Sequence, residues 1–305
     1  MRRRRPFPLL VSLVLLVMVA LVAIDRVAPP GFGQPTPGPV SSELLIAVLD
    51  VGQADSIFIR SSSGRTMLVD AGNEKADVER VILPYLRYRG VSSLDYLVLT
   101  HPDQDHVGGM PALLDSFPVS TFIDPVHPEE TNRTYYHTLE RVQSKNIKAV
   151  KARRGQTEID LGPDIVVQTL APEDPLITDA QSFNNANSVV LRITLGSVSA
   201  LLTGDIEEKT EERLLGHRDT IQSQILKVAH HGSRYGSIDP FLDAVQPEIA
   251  LISAGDGNSY GHPHRELLQR LESRQIKTYR TDKNGTIEVT TDGREYRVTT
   301  EKAGG

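Results

Sequence analysis

Short apolar runs recur along most of the chain and are separated by glycine, proline and polar residues, a pattern typical of β-strands. The predicted strands cover residues 44–51, 55–60, 66–69, 94–100, 121–124, 165–170, 188–195, 198–202, 225–228, 249–253, 286–290 and 296–300. The last two flank Asp292 and Gly293, a turn pair that predicts a β-hairpin.

Stretches with helical periodicity lie between the later strands. They predict helices over residues 76–89, 109–117, 134–146, 207–215, 240–245 and 265–274. Strands therefore come first as a meander and then alternate with helices. The mostly apolar run at residues 94–100 is typical of a strand buried on both faces. We expect a layered α/β fold with sheets inside and helices outside.

The first 27 residues differ from the rest of the chain. Four arginines at positions 2–5 precede an unbroken apolar run at residues 8–24, whose length lies at the lower edge of the roughly 17–25 residues that a membrane span needs. A basic start followed by an apolar run also describes a signal peptide. Because no small-x-small cleavage site ends the run, we favour an uncleaved signal-anchor over a cleaved signal peptide. Either one predicts membrane contact through residues 8–24 and an extracytoplasmic body, anchored or secreted.

Residues 28–40 read APPGFGQPTPGPV, and proline and glycine at this density predict a spacer. No second linker, low-complexity tract or internal repeat follows. The sequence therefore predicts three parts: a signal-anchor or signal peptide over residues 1–27, a Pro/Gly linker over residues 28–41, and one folded domain over residues 42–302.

Charge separates the same parts. The chain has 33 Lys and Arg against 39 Asp and Glu, a net charge of −6. The first 42 residues hold five arginines and one aspartate, or +4, which leaves −10 for the body. An acidic body attracts nucleic acid weakly, because non-specific binding depends on Lys and Arg at the phosphates. The chain has no cysteine, so disulfides and thiolate chemistry are excluded, and any metal must be bound by His, Asp, Glu or Asn.

Four side chains able to bind a metal ion follow the buried strand at residues 94–100. They are His101, Asp103, Asp105 and His106, and two glycines after them let the chain turn into a helix. Neutral imidazole nitrogen and charged carboxylate oxygen together suit a divalent cation. A polar loop of mutually satisfied side chains is the alternative, but crowded carboxylates and imidazoles favour a metal.

Three further predicted strands end in similar residues. Asp205 follows the strand at 198–202, although such an aspartate is equally often a helix N-cap. His230 and His231 follow the strand at 225–228, where one could bind metal while the other hydrogen-bonds. His262 follows the strand at 249–253, in a segment that could also be a turn that starts a helix. Because strand ends meet along one edge of a layered α/β fold, this recurrence predicts a single site.

Two other groups are ambiguous when taken alone. Asp50, Asp55 and the Asp70 segment lie at strand junctions, where Asp and Gly commonly form turns. Three asparagines before the strand at 188–195 are equally ambiguous: Asn184, Asn185 and Asn187.

Taken in order, these segments resemble a known family. The motifs are DVGQxD at residue 50, VDAG at 69, THPDxDHxGG at 100, NxxSVVL at 185, LLTGD at 201, KVxHHGS at 227 and NxYGHP at 258. Together they resemble the metallo-β-lactamase-type domain of ComEC-like competence proteins, over residues 44–300. The resemblance implies a four-layer αββα sandwich, preceded here by one N-terminal apolar helix, with a metal site at the sheet edge.

The resemblance also implies a ligand set. His101, Asp103, Asp105 and His106 occupy the superfamily's HxHxDH motif, with Asp103 in place of the second histidine. Three more residues occupy its remaining ligand positions: Asp205 at the metal-bridging aspartate, His231 at the last histidine with His230 as its competitor, and Asn187 near the third histidine motif. One or two divalent ions are implied. The extra oxygen ligands favour Mn²⁺ without excluding Zn²⁺.

The implied chemistry is hydrolysis by metal-activated water. Asp105 would be a ligand or accept a proton from that water, and His230 or His262 would protonate a leaving oxygen or contact phosphate. The leading expectation is a phosphodiesterase or nuclease acting on single-stranded DNA or another phosphodiester, without a nucleotide cofactor. A lactonase or β-lactamase-like hydrolase on the same scaffold is the alternative, and a binding protein with a decayed site is the third. ComEC-like proteins also carry a polytopic channel, whereas one predicted span leads us to expect a stand-alone hydrolase domain.

One group of basic residues could support the nuclease expectation by contacting nucleic acid. It is the stripe at Lys148, Lys151, Arg153 and Arg154. We expect it instead to be a solvated edge.

Overall fold

Two β-sheets form the centre of the molecule. The computed structural model of the chain describes residues 43–127, 132–217 and 221–303. The predicted signal-anchor and linker lie outside the described residues. Within the three described ranges, no helix combines the length and the apolar composition that a bilayer span requires.

The first sheet has eight strands in the order β14-β13-β1-β2-β3-β4-β5-β6. Their bounds are β1 Leu44–Val48, β2 Ile57–Ser61, β3 Thr66–Val69, β4 Leu94–Val98, β5 Val119–Asp124, β6 Lys148–Lys151, β13 Ile287–Thr291 and β14 Tyr296–Thr300. β3 to β6 run parallel, whereas β1 pairs antiparallel with β2 and with β13, with Leu44 opposite Thr291. The first strand therefore pairs with one from the end of the chain.

The second sheet has six strands in the order β12-β11-β10-β9-β8-β7. Their bounds are β7 Ile165–Ala171, β8 Val190–Leu195, β9 Val198–Leu202, β10 Ile225–Lys227, β11 Ile249–Ile252 and β12 Lys277–Arg280. β9 to β12 run parallel. Their carboxyl ends consequently lie along one edge of this sheet.

Helices cover the outer faces of both sheets. Their bounds are α1 Lys75–Asp77, α2 Leu83–Tyr88, α3 Gln104–Val107, α4 Met110–Ser116, α5 Arg133–Ser144, α6 Phe183–Ala186, α7 Glu208–Leu215, α8 Asp239–Val245, α9 Arg265–Ser273 and α10 Thr281–Asn284. A π-helical segment, Val78–Ile82, joins α1 to α2, so the helix predicted at 76–89 consists of three consecutive pieces.

Alternation along the strands creates three apolar layers. Ile46 and Val48 of β1 pack between the sheets, with Ile193 of β8 and Ala200 of β9 on the facing sheet. Leu45 and its outward neighbours pack under the helices of the first sheet, and a third cluster fills the space under α7, α8 and α9. Because side chains alternate faces along a strand, one run of apolar residues serves two layers. The predicted α/β architecture, a four-layer αββα sandwich, is confirmed.

The edge strand β6 contains two residues of the suggested basic stripe. Lys148 and Lys151 are exposed along this edge, as expected, and edge lysines discourage pairing with another chain. Arg153 differs from the expectation, because it is buried: its guanidinium donates to Pro125 O and to Asp174 Oδ1. Acidic neighbours at residues 173 and 174 also face Lys151 and Arg154. The stripe is therefore not a continuous basic surface.

Candidate metal centre

Residues from three strand ends converge at one edge of the sandwich. Asp105 and His106 lie in α3 after β4, Asp205 follows β9, and His231 follows β10. One donor atom from each of these four side chains lies within 4.8 Å of the others. The two sheets thus contribute to one cluster, as the recurrence of polar strand ends predicts.

Unusual backbone geometry brings these side chains together. His230 and His231 have φ angles of 50° and 52°, in the left-handed region that side chains other than glycine rarely adopt. The turn between α3 and α4 approaches its neighbour closely: a Cβ on Gly108 would lie 1.8 Å from Asn73 O. Only glycine fits there, so the sequence Gly108-Gly109 allows α3 to pack where its acidic and imidazole groups face the cluster.

Several buried polar atoms at the centre have no hydrogen-bond partner among the described residues. They are Nε2 of His101, Nε2 of His106 and Oδ1 of Asp205. The rings of His101 and His106 are 4.1 Å apart, and His106 Nε2 is 3.4 Å from Asp205 Oδ2. Buried polar atoms without a hydrogen bond are costly, and a divalent cation bound between His106 and Asp205 would offset that cost. The donor set fits a metal ion.

The other ring nitrogen of each histidine contacts a fixed partner. His106 Nδ1 lies 2.8 Å from Asp70 Oδ2, and His231 Nδ1 lies 3.1 Å from Ser253 O. His101 Nδ1 lies 3.1 Å from Thr100 Oγ1. A histidine that donates from Nδ1 presents the lone pair of Nε2, which is the arrangement typical of metal-binding imidazoles.

The histidines and carboxylates of the cluster shift each other's pKa values. Burial alone lowers the pKa of His106, but the carboxylates of Asp205, Asp70 and Asp105 outweigh it and hold that pKa well above its ordinary value. Burial alone raises the pKa of Asp205, but the surrounding histidines hold it well below its ordinary value. Protons on the histidines therefore balance the carboxylate charge, and a metal ion would compete with those protons.

Two predicted residues lie on the more exposed side of the cluster. Asp103 Oδ2 is 3.6 Å from His101 Nε2, and Asn184 Nδ2 donates to the other Asp103 oxygen at 2.7 Å. His230 is only partly buried, and its Nε2 lies 3.9 Å from Asp205 Oδ2, whereas His231 Nε2 lies 3.6 Å from the same atom and is fully buried. Of the two adjacent histidines, His231 has the surroundings of a ligand.

His262 lies beside these histidines rather than among the cluster atoms. Its ring is 5.4 Å from the His230 ring and 6.4 Å from the His231 ring, and Gln53 Nε2 lies 3.4 Å from its Nδ1. Burial and the neighbouring histidines lower the pKa of His262 to about 4. His262 is accordingly neutral near pH 7.

Asn187 is held by the loop before it. Its Oδ1 accepts from Ile177 N at 2.9 Å, and its Nδ2 donates to Ile177 O and Phe183 O. These bonds engage both atoms of the amide away from the cluster, so the structure does not bring it together with the other predicted ligands. A metal-binding role for Asn187 stays a prediction.

A buried ion pair supports the centre and was not predicted. Lys227 Nζ donates to Asp55 Oδ2 at 2.7 Å, and Asp55 Oδ1 lies 3.6 Å from His231 Nδ1. Both side chains are fully buried. A lysine inside the apolar strand at 225–228 was the sequence signal, because a charged residue there requires a buried partner.

An αββα sandwich with a His and Asp cluster at its sheet edge defines a class of metal-binding proteins. A family model described as "Metallo-beta-lactamase superfamily" matches residues 49–256. The chain belongs to this superfamily. It is a metal-dependent hydrolase, and its cluster accommodates one or two divalent metal ions.

Competence proteins are among its relatives. The chain is 34% identical to ComE operon protein 3 of Bacillus subtilis, over 82% of this chain and 33% of that protein. It is also 34% identical to Competence protein ComA of Neisseria gonorrhoeae, over 81% of this chain and 32% of that protein. The chain thus spans about a third of the length of these relatives. The resemblance to ComEC-like proteins is confirmed.

Solved structures support the fold alone. The crystal structure of CmlA, a diiron beta-hydroxylase from Streptomyces venezuelae, matches with a TM-score of 0.51 at 17% identity, over 80% of this chain and 53% of that one.

Proposed function

We propose that the chain is an extracytoplasmic phosphodiesterase that hydrolyses DNA, with single strands as its substrate. One observation carries the proposal: donor atoms of Asp105, His106, Asp205 and His231 lie within 4.8 Å of one another, in a cluster where buried atoms of His106 and Asp205 have no hydrogen-bond partner among the described residues. A phosphodiester could reach a metal ion bound there from the exposed side. Similarity to competence proteins supports DNA as the substrate.

In this proposal six residues hold the metal. They are His101, Asp103, Asp105, His106, Asp205 and His231. A metal ion bound by them would act as a Lewis acid and would lower the pKa of water towards neutrality. Asp105 Oδ2 lies 3.1 Å from His231 Nε2 and remains partly exposed, so it can accept a proton from the attacking water while it contacts the cluster. Manganese or zinc would serve, and the oxygen-rich donor set favours manganese.

His230 and His262 have the remaining roles. His230 Nδ1 lies 3.4 Å from Glu207 Oε1, so its ring is held at the edge of the cluster, where it can protonate a leaving oxygen. His262 lies next to it and would contact the phosphate. The two rings together would border the bound phosphodiester.

We also propose an extracytoplasmic location, with residues 1–27 as a signal-anchor or signal peptide and residues 28–41 as the linker to a hydrolase domain over residues 42–302. The four N-terminal arginines and the apolar run at 8–24 support this assignment.

One observation favours a second candidate function. The body carries a charge of −10, and the basic stripe is interrupted by the burial of Arg153 and by its acidic neighbours. A lactonase or β-lactamase-like activity needs no attraction to a polyanion and would fit this charge better.

A substrate panel separates the two candidates. The purified protein, supplied with Mn²⁺ or Zn²⁺, is offered single-stranded DNA, bis-p-nitrophenyl phosphate, a lactone and a cephalosporin. We expect hydrolysis of the first two, and a loss of about 100-fold or more in kcat for Asp105→Ala. Asp115→Ala removes a surface carboxylate that pairs with Arg141 and is the matched control. Hydrolysis of the lactone or cephalosporin alone would contradict the nuclease proposal.

A further inference from the structure

The loop between β11 and α9 holds an exposed aromatic ring close to the metal centre. Tyr260 is 67% exposed. Its ring centroid lies 5.7 Å from that of His262, with 26° between the planes, so the two rings are stacked. One face of the tyrosine is therefore supported by His262, and the ring remains largely open to solvent.

The stack leads directly to the proposed ligands. The His262 ring lies 6.4 Å from the His231 ring, with 24° between their planes. His231 in turn contacts Asp105 and Asp205. Two ring-to-ring steps thus connect Tyr260 to the cluster.

Asn258 fixes the loop that carries this ring. Its Nδ2 donates to Gly255 O at 2.9 Å and to His262 O at 2.6 Å. Its Oδ1 accepts from Tyr260 N at 3.2 Å and from His262 N at 3.0 Å. The backbone on both sides of the tyrosine is therefore held by one side chain, and a preorganised ring loses little conformational freedom when a ligand binds.

The other strongly exposed tyrosines within the described residues have different surroundings. The Arg234 guanidinium lies over the Tyr235 ring at 5.9 Å. The Tyr136 ring lies on α5, next to the Tyr135 ring. Tyr260 is distinguished from both by its stack on a histidine of the site.

We propose that the Tyr260 ring stacks on a nucleobase of the strand bound at the metal centre. This inference rests on the proposed function and assigns a residue to the recognition of single strands, because bases inside a duplex already stack on each other. Every base has an aromatic face, so stacking tolerates any sequence. Stacking also needs no positive charge, which suits a body with a charge of −10.

Binding to two single-stranded oligonucleotides, one with bases and one without, tests the inference. A fluorescein-labelled oligo(dT) and an abasic strand with the same number of phosphates are titrated with the full-length protein, and the Kd is measured by fluorescence anisotropy. We expect Tyr260→Ala to weaken oligo(dT) binding about tenfold and to leave abasic binding unchanged. Tyr260→Phe keeps the ring and should bind both strands as the original protein does.

A control variant and a second readout complete the test. Tyr296→Ala removes a ring that contacts Glu248 at the opposite edge, where β11 begins, and should change neither Kd. Equal weakening for both strands, or no weakening for oligo(dT), overturns the stacking role. Cleavage of the same oligonucleotides is measured in parallel. If base-dependent binding is lost in Tyr260→Ala but no variant cleaves DNA, the stacking inference stands and the proposed function fails. If all variants cleave DNA with the same KM, the proposed function stands and the stacking inference fails.

Discussion

Asp70 shows that the metal centre depends on a residue outside the predicted ligand set. Its two oxygens accept from Thr100 N at 2.8 Å and from Thr100 Oγ1 at 2.7 Å, and the second also contacts His106 Nδ1. This fully buried carboxylate orients the imidazole and selects its tautomer. Outer groups of this kind commonly affect metal affinity almost as strongly as the ligands themselves.

Replacing Asp70 with asparagine should weaken metal binding without removing a ligand. We expect Asp70→Asn to raise the Kd for Zn²⁺ or Mn²⁺ by roughly 10- to 100-fold, because an amide orients the His106 ring less firmly than a carboxylate and leaves its Nε2 a less basic ligand. Competition with a chromophoric chelator measures the change. Asp115→Asn is the control, and a Kd equal to that of the original protein would contradict the role given to Asp70.

The sequence predicts the residues of the cluster more readily than the buried charged residues that contact them. Asp105, His106, Asp205 and His231 were predicted from their positions after apolar strands, and the structure brings them together. His101, predicted in the same way, has its ring 4.1 Å from that of His106. Asp70 and Asp55 remained ambiguous, because Asp is common at strand junctions whatever its role. Lys227 was missed, since its partner is 172 positions away and only the folded chain places the two together.

Strands were most readily predicted where apolar residues dominate their sequence. β4 and β9 are mostly apolar and were recognised, whereas β6 and β12 were missed. Both missed strands lie at sheet edges, where β6 reads KAVK and β12 reads KTYR, with exposed or partly exposed side chains. A short edge strand buries too little to impose an apolar pattern, so its sequence resembles a loop.

Helix α7 contains a buried acid that connects it to the segment before α8. Glu211 accepts from the backbone N–H groups of Ser237 and Ile238. Burial outweighs these two donors and raises the pKa of Glu211 to about 8, from an ordinary value of 4.5. Between about pH 4.5 and 8, the Glu211 carboxyl therefore keeps its proton in the folded chain and has lost it in the unfolded chain.

This proton makes stability depend on pH. The contribution is fully present below about pH 4.5 and is lost as the pH rises through about 8, at up to about 1 kcal/mol per pH unit. We expect Glu211→Gln to remove this part of the slope in a plot of unfolding free energy against pH, measured with urea. Glu208→Gln, an exposed acid on the same helix, should keep the slope. If both variants retain it, Glu211 is ionised in the folded protein.

For the whole molecule, the metal should contribute to stability as well as chemistry. The cluster combines carboxylates from both sheets with buried atoms that have no hydrogen-bond partner among the described residues. A cation there would join the two layers. Binding at 100 times the Kd stabilises a folded protein by about 2.7 kcal/mol.

We therefore expect Mn²⁺ or Zn²⁺ to raise the Tm by roughly 5–10 °C, since about 1 kcal/mol shifts the Tm of a domain of this size by roughly 2–4 °C. Differential scanning fluorimetry measures the shift, and EDTA should reverse it. Asp205→Asn should reduce the shift strongly. An undiminished shift in that variant would place the stabilising ion elsewhere.

The pairing of β1 with β13 also determines when the domain can be completed during synthesis. Leu44 lies opposite Thr291, so the edge of β1 that pairs with β13 has no partner strand until almost the whole domain has left the ribosome. Contacts of such sequence separation close slowly, and an open strand edge invites pairing with other chains. A nascent chain that stalls before β13 would expose that edge, and truncations of the C-terminal hairpin should produce insoluble protein rather than a smaller active enzyme.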